Sequence, residues 1–111
     1  MSPPTEFVRN SGGSIISRNA LEGVAPIRWA FREEPATEVD NGWRFLSAID
    51  DDAYLSVPAN MTVVSFNTVV EIEPAVLPLL YLPVGSDIAI HREAGGPILL
   101  IDRPSGTPLQ L

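Results

Sequence analysis

His91 is the only side chain of this 111-residue chain whose ordinary pKa lies near neutrality, and no cysteine accompanies it. To act as a general base it would have to meet a nucleophile and an orienting partner. Ser86 and Asp87 precede it on one strand-like run, and nothing in that spacing turns them toward it. His91 therefore reads as an ordinary surface or edge residue. Carboxylates are the more plentiful chemistry, and Glu33, Glu34, Glu38, Asp40, Asp50, Asp51 and Asp52 supply seven of the fourteen. Consecutive aspartates can touch Mg²⁺ or Ca²⁺, but Asp50–Asp52 lack the spaced oxygens, glycine and distal bidentate acid of a calcium loop. One histidine and no cysteine argue against a zinc site built by the protein. Gly12-Gly13 and Gly95-Gly96 fit neither phosphate-binding glycine frame. The expectation is a chain without catalytic residues, bound metal or cofactor.

Charge narrows the partners. The formal net charge is −7, and all seven cations are arginine. That balance disfavours nucleic acid, which needs clustered cations against its phosphates. It suits a partner with a basic surface, although an acidic surface also serves solubility alone. No apolar run approaches the roughly 18–20 residues that span a bilayer. Met1–Gly13 lacks the charged start and apolar middle of a signal peptide. A soluble, cytoplasmic protein is expected, in keeping with the absence of cysteine.

The elements that must position these groups form one domain, since 111 residues cannot bury two cores. The organisation expected is a flexible N-terminal arm over 1–13, a single α+β domain over 14–103, and a loose tail over 104–111. Its sheet is expected to be mostly antiparallel, with about five strands and short helices. At its centre, Ile27, Trp29 and Phe31 alternate with Arg28 and Arg32, and Trp43 and Phe45 continue the pattern after a loop at Glu33–Asn41. An antiparallel hairpin is the simplest connection. It puts Glu33, Glu34, Glu38 and Asp40 at its tip and Asp50–Asp52 at the far end, about 20 Å away at roughly 3.3 Å per residue. The two acidic sets then cannot share a substrate.

Asp50 is expected to cap a helix over Asp50–Val57, and Asn19 a single helical turn that Gly23 stops. Met61–Phe66 reads as a buried strand, and helical pieces are expected over Thr68–Leu82, interrupted by Pro78. Gly85–Arg92 and Ile98–Ile101 complete the strands, with a turn at Glu93–Pro97. The apolar run containing Val76, Leu79, Leu80 and Leu82 is either core or the contact of a homodimer. Trp29 and Trp43 read as core anchors, and one of them could instead be a partly exposed hot spot beside the acidic tip.

Several pieces, in order, resemble one bacterial family. They are Ile16-Ser17-Arg18-Asn19 with Leu21-Glu22-Gly23, Arg32-Glu33-Glu34-Pro35, Asn41-Gly42-Trp43-Arg44-Phe45 and Asp51-Asp52-Ala53-Tyr54-Leu55. Asn67-Thr68, Glu73-Pro74, Pro78-Leu79-Leu80 and Pro83-Val84-Gly85-Ser86 follow. From about Ile15 to Arg92 the chain resembles the immunity protein 33 family, earlier known only as a domain of unknown function. The resemblance implies a small cytosolic antidote to a secreted polymorphic toxin, acting without catalysis or cofactor. It carries over no binding residues. The candidate contact with a basic toxin domain is therefore drawn from the residues: Glu33, Glu34, Glu38 and Asp40 at the rim, with Trp43 as anchor. The alternative is a cytosolic interaction or small-ligand module, dimeric through Val76–Leu82.

Overall fold

The hairpin forms the middle of the sheet. In a computed structural model, which describes residues 6–92 and 95–109, β2 (Ile27–Arg32) pairs antiparallel with β3 (Asp40–Ser47), and Arg32 lies opposite Trp43. Around them run β1 (Gly13–Ser17), β4 (Met61–Ser65), β5 (Asp87–Arg92), β6 (Ile98–Asp102) and β7 (Thr107–Pro108). The described residues form one seven-stranded sheet in the order β4-β1-β3-β2-β5-β6-β7. It is mostly antiparallel, as expected of this α+β chain, but has more strands than the five or so expected. The pairing of β1 with β3 is parallel and makes the sheet mixed.

The core packs between the sheet and the helical segment that follows β4. The helices are α1 (Arg18–Leu21), α2 (Asp52–Leu55) and α3 (Phe66–Ile72), with 3-10 turns at Pro58–Asn60 and Pro74–Leu79. Trp43 and Phe45 stack at 6.1 Å, and Phe45 meets Phe66 of α3 at 6.3 Å. Val69, Val70, Val76, Leu79, Ile16, Ile88 and Ile90 close this core. The apolar run offered as a dimer contact is therefore interior: Val76 and Leu79 are 0 % exposed, Leu80 is buried, and Leu82 packs on the core. Pro78 makes the segment a 3-10 turn, whose side chains at i and i+3 eclipse, so Val76 and Leu79 point together at the sheet.

Caps differ from the positions expected for them. Ser17, not Asn19, caps α1 and accepts from the Ala20 N–H at 3.3 Å. Asp51, not Asp50, caps α2 at 2.8 Å from the Tyr54 N–H. Asp50 turns back to β3 instead, where it accepts from the Ser47 N–H at 2.6 Å, the Ser47 hydroxyl at 2.7 Å and Asn19 Nδ2 at 2.9 Å. Burial opposes its charge, but hydrogen bonds from Ser17, Ser47 and Asn19 outweigh it and hold the carboxyl below its ordinary pKa. Ser65 caps α3, accepting from the Thr68 N–H at 3.2 Å. Ser65→Ala is expected to cost about 1 kcal/mol, read as a lowered midpoint in urea unfolding with an unchanged slope.

Where they are described, both ends make hydrogen bonds to the domain. The N–H groups of Phe7 and Val8 donate to Asn67 Oδ1 at 2.8 and 2.9 Å, which fastens this part of the arm to α3. At the other end β7 pairs with β6, and the Leu109 N–H donates to the Leu100 carbonyl at 2.8 Å. The remainder of the arm and tail, residues 1–5 and 110–111, and part of the turn at Glu93–Pro97 lie outside the described residues.

Candidate functional site

A register shift between Ile27 and Trp29 decides which aromatic residues reach the surface. A shift of one residue flips every later side chain to the opposite face. Ile27 is buried in the core, whereas Trp29 lies opposite Leu46 and Phe31 opposite Arg44, on the face that α3 does not cover. Ala30, between them, takes the core side at 0 % exposure. The alternation of Ile27, Trp29 and Phe31 thus does not describe one face.

The uncovered face carries an apolar groove. One hollow of about 250 Å³ lies between Ile15, Phe31, Leu46 and Met61, with Glu33 and Arg44 on its wall. A second of about 420 Å³ lies between Trp29, Phe31 and Leu55, with Asp52 and Asp87 on its wall. Phe31, Leu46 and Leu55 line both, so they are parts of one groove. Trp29 and Phe31 stand with rings 6.1 Å apart. The Trp29 indole N–H donates to Asp87 at 2.7 Å, and the Arg103 guanidinium sits 3.8 Å over its ring. This cation–π contact and the Arg103–Asp87 pair at 3.2 Å leave the tryptophan oriented and half-buried.

Beside the groove, Arg44 is held by two carboxylates. Its Nε meets Glu33 at 2.9 Å, and its Nη1 and Nη2 meet the two oxygens of Asp40 at 2.8 and 2.9 Å. The fork-to-carboxylate geometry is the strong, bidentate form of an ion pair. The hydrogen bonds from Arg44 hold Asp40 well below the carboxylate range against the cost of its burial. Asp40, then Glu33, raise the Arg44 pKa above its ordinary value. Both partners of Arg44 belong to this chain, and between them they engage its Nε, Nη1 and Nη2.

The candidate contact residues therefore separate. Glu33, Glu34 and Glu38 are exposed around the β2–β3 loop. Asp40 is not a rim residue, with a side chain 13 % exposed and engaged by Arg44. Trp43 is 0 % exposed, and its indole N–H donates to the Leu80 carbonyl at 3.3 Å. It has no surface to give a partner, because position 43 faces α3 across the sheet. Trp29 and Phe31 occupy the place assigned to it. His91 is exposed on β5, and the Asp87 carboxylate is taken up by Trp29 and Arg103.

Asn41 and Arg32 also hold this region together. Asn41, expected in the loop, lies in β3, where its buried amide accepts from Ser14 at 3.1 Å and from the Trp43 N–H at 2.8 Å, and donates to the Ser11 carbonyl at 3.0 Å. Arg32 reaches the Asn41, Leu80 and Leu82 carbonyls at 2.9, 3.3 and 2.6 Å, clasping β3 to the end of the 3-10 turn. Gly42 follows inside the strand at φ 87°, where a Cβ would lie 2.2 Å from the Glu33 carbonyl oxygen. The Asn-Gly pair, a turn signal in sequence, is here a kink within β3 and the one available clue.

Among known proteins, the family model described as the Immunity protein Imm33 domain matches residues 14–98. No match was found among curated proteins or solved structures.

Proposed function

The chain belongs to the Imm33 immunity protein family, and on that premise we propose that it neutralises a bacterial toxin in the cytoplasm by binding it directly, without catalysis. Family membership carries this reading. The contact surface we assign is the groove over Trp29 and Phe31, with Glu33, Glu34 and Glu38 at its border. An apolar centre with polar, charged surroundings is the anatomy of a protein interface, and aromatic anchors in its centre hold most of the binding energy. The acids at the border steer a basic toxin surface and set its orientation.

Glu34→Arg with Glu38→Arg reverses two exposed acids without touching the Arg44 pair. Against a cognate toxin domain, the double variant is expected to associate at least ten-fold more slowly in 50 mM salt, and the difference to shrink at 500 mM. Surface plasmon resonance reads both rates, and survival of cells expressing the toxin reads protection. Unchanged association and full protection would remove the acidic border from the interface.

A further inference from the structure

Among the described residues, one edge of the sheet is open. β4 ends the strand order, and its five residues, Met61–Ser65, contain no charge and no proline. Sheet edges are ordinarily blunted by charge, proline or a covering element, because their free N–H and C=O groups template another strand. The opposite edge follows that rule: β7 has two residues, one of them Pro108.

The hydrogen-bond phase of β4 fixes which groups are free. The Phe66 N–H donates to the Gly12 carbonyl at 3.0 Å, at the end of the β1–β4 ladder. Antiparallel partners alternate between bonded and non-bonded pairs, so in this register Ser14–Val64 and Ile16–Thr62 are bonded pairs. Ile15–Val63 is then a non-bonded pair, and the N–H and C=O of Val63 point out of the sheet. The Val63 side chain is 71 % exposed and Val39 is 73 % exposed. Between them, with Ile15 and Ala36, lies an apolar hollow of about 140 Å³.

We propose that β4 pairs antiparallel with β4 of a second copy, about a two-fold axis at Val63, joining two seven-stranded sheets into one. A second copy fits this edge for three reasons. An antiparallel pair about a two-fold is self-complementary, so one edge satisfies itself with the same groups. The strand is uncharged in a chain of net charge −7, so the two copies meet where they repel least, and a basic strand would find no acid in β4 to meet. Pairing also brings Val63 against its own copy and covers the hollow beside Val39. The contact is small, so the dimer is expected at micromolar concentrations and above.

The absence of cysteine from the chain makes the test direct. At the axis the two Val63 Cα atoms would lie about 5.5 Å apart, within disulfide range. Val63→Cys is expected to oxidise to a covalent dimer at least ten-fold faster than Val24→Cys, placed on an exposed loop outside β4. In sedimentation equilibrium the native chain is expected to approach twice 12.0 kDa with rising concentration. Val63→Pro, which removes the outward N–H at a position where an edge strand tolerates proline, is expected to remain at the monomer mass with an unchanged circular dichroism spectrum. A native mass that stays at 12.0 kDa up to 500 µM, or equal oxidation of the two cysteine variants, would overturn the pairing. Toxin binding, assigned to the groove, is a separate readout and is expected to survive Val63→Pro.

Discussion

Trp43→Ala is expected to lose about 3–5 kcal/mol of stability, whereas Trp29→Ala is expected to lose toxin affinity while the fold persists. The first figure is that of a large aromatic removed from a packed interior. Trp43 is fully buried, stacked on Phe45 and bonded through its indole to Leu80. Its loss empties the contact between β3 and the 3-10 turn and leaves the Leu80 carbonyl with Arg32 alone. In a domain whose whole stability is about 5–15 kcal/mol, that is a large share.

Trp29 is half-buried, and its neighbours can manage without it, since Arg103 keeps its own pair with Asp87. Truncation of a central aromatic anchor costs an interface at least about 2 kcal/mol, or roughly thirty-fold in Kd. Urea unfolding and calorimetric titration against the toxin domain give the two quantities for both variants. If Trp29→Ala binds as tightly as the native chain, the groove is not the contact surface.

The second large effect concerns acid. Asp40→Asn is expected to cost about 3 kcal/mol at pH 7, because it leaves Arg44 buried with half its counter-charge. The sign of the pH dependence follows from the depressed folded pKa of Asp40. Its contribution is complete above the unfolded value of about 3.8 and is lost as pH falls below that toward the folded value. Asp50 shifts in the same direction and adds to the same limb. Arg44 shifts upward, so its contribution would be lost only at strongly alkaline pH. The native chain should therefore lose stability steeply below about pH 4. Asp40→Asn should start lower at neutrality and fall less steeply. Parallel acid limbs in the two proteins, measured by urea unfolding from pH 7 to pH 2.5, would show that Asp40 is not the group responsible.

The family was legible before the fold was. The ordered set of pieces, with Arg32-Glu33-Glu34-Pro35 followed by Gly42-Trp43-Arg44-Phe45 and Asp52-Ala53-Tyr54-Leu55, carries the resemblance, and the matched span, residues 14–98, includes them. The hairpin was legible too, because two aromatic, period-two segments around a Pro- and acid-rich loop have one simple way to pair. The site was less so. Three of its expected members, Glu33, Glu34 and Glu38, lie at the surface because loop carboxylates have nowhere else to go. Asp40 and Trp43 do not: Arg44, four residues on in the same strand, takes the Asp40 carboxylate, and the Leu80 carbonyl takes the Trp43 indole N–H.

Local chemistry thus set what could be decided over a few residues. Charge balance, the hairpin and the approximate helix starts depend on neighbours in the chain. Which tryptophan faces outward depends instead on one register shift after Ile27, a feature that leaves the residue types unchanged and reverses the face of all that follow. The burial of Val76, Leu79 and Leu80, the pairing of Arg44 with Glu33 and, among the described residues, the free edge of β4 are likewise products of packing. Each depends on groups brought together from separate strands and turns, and only the tertiary structure determines that juxtaposition.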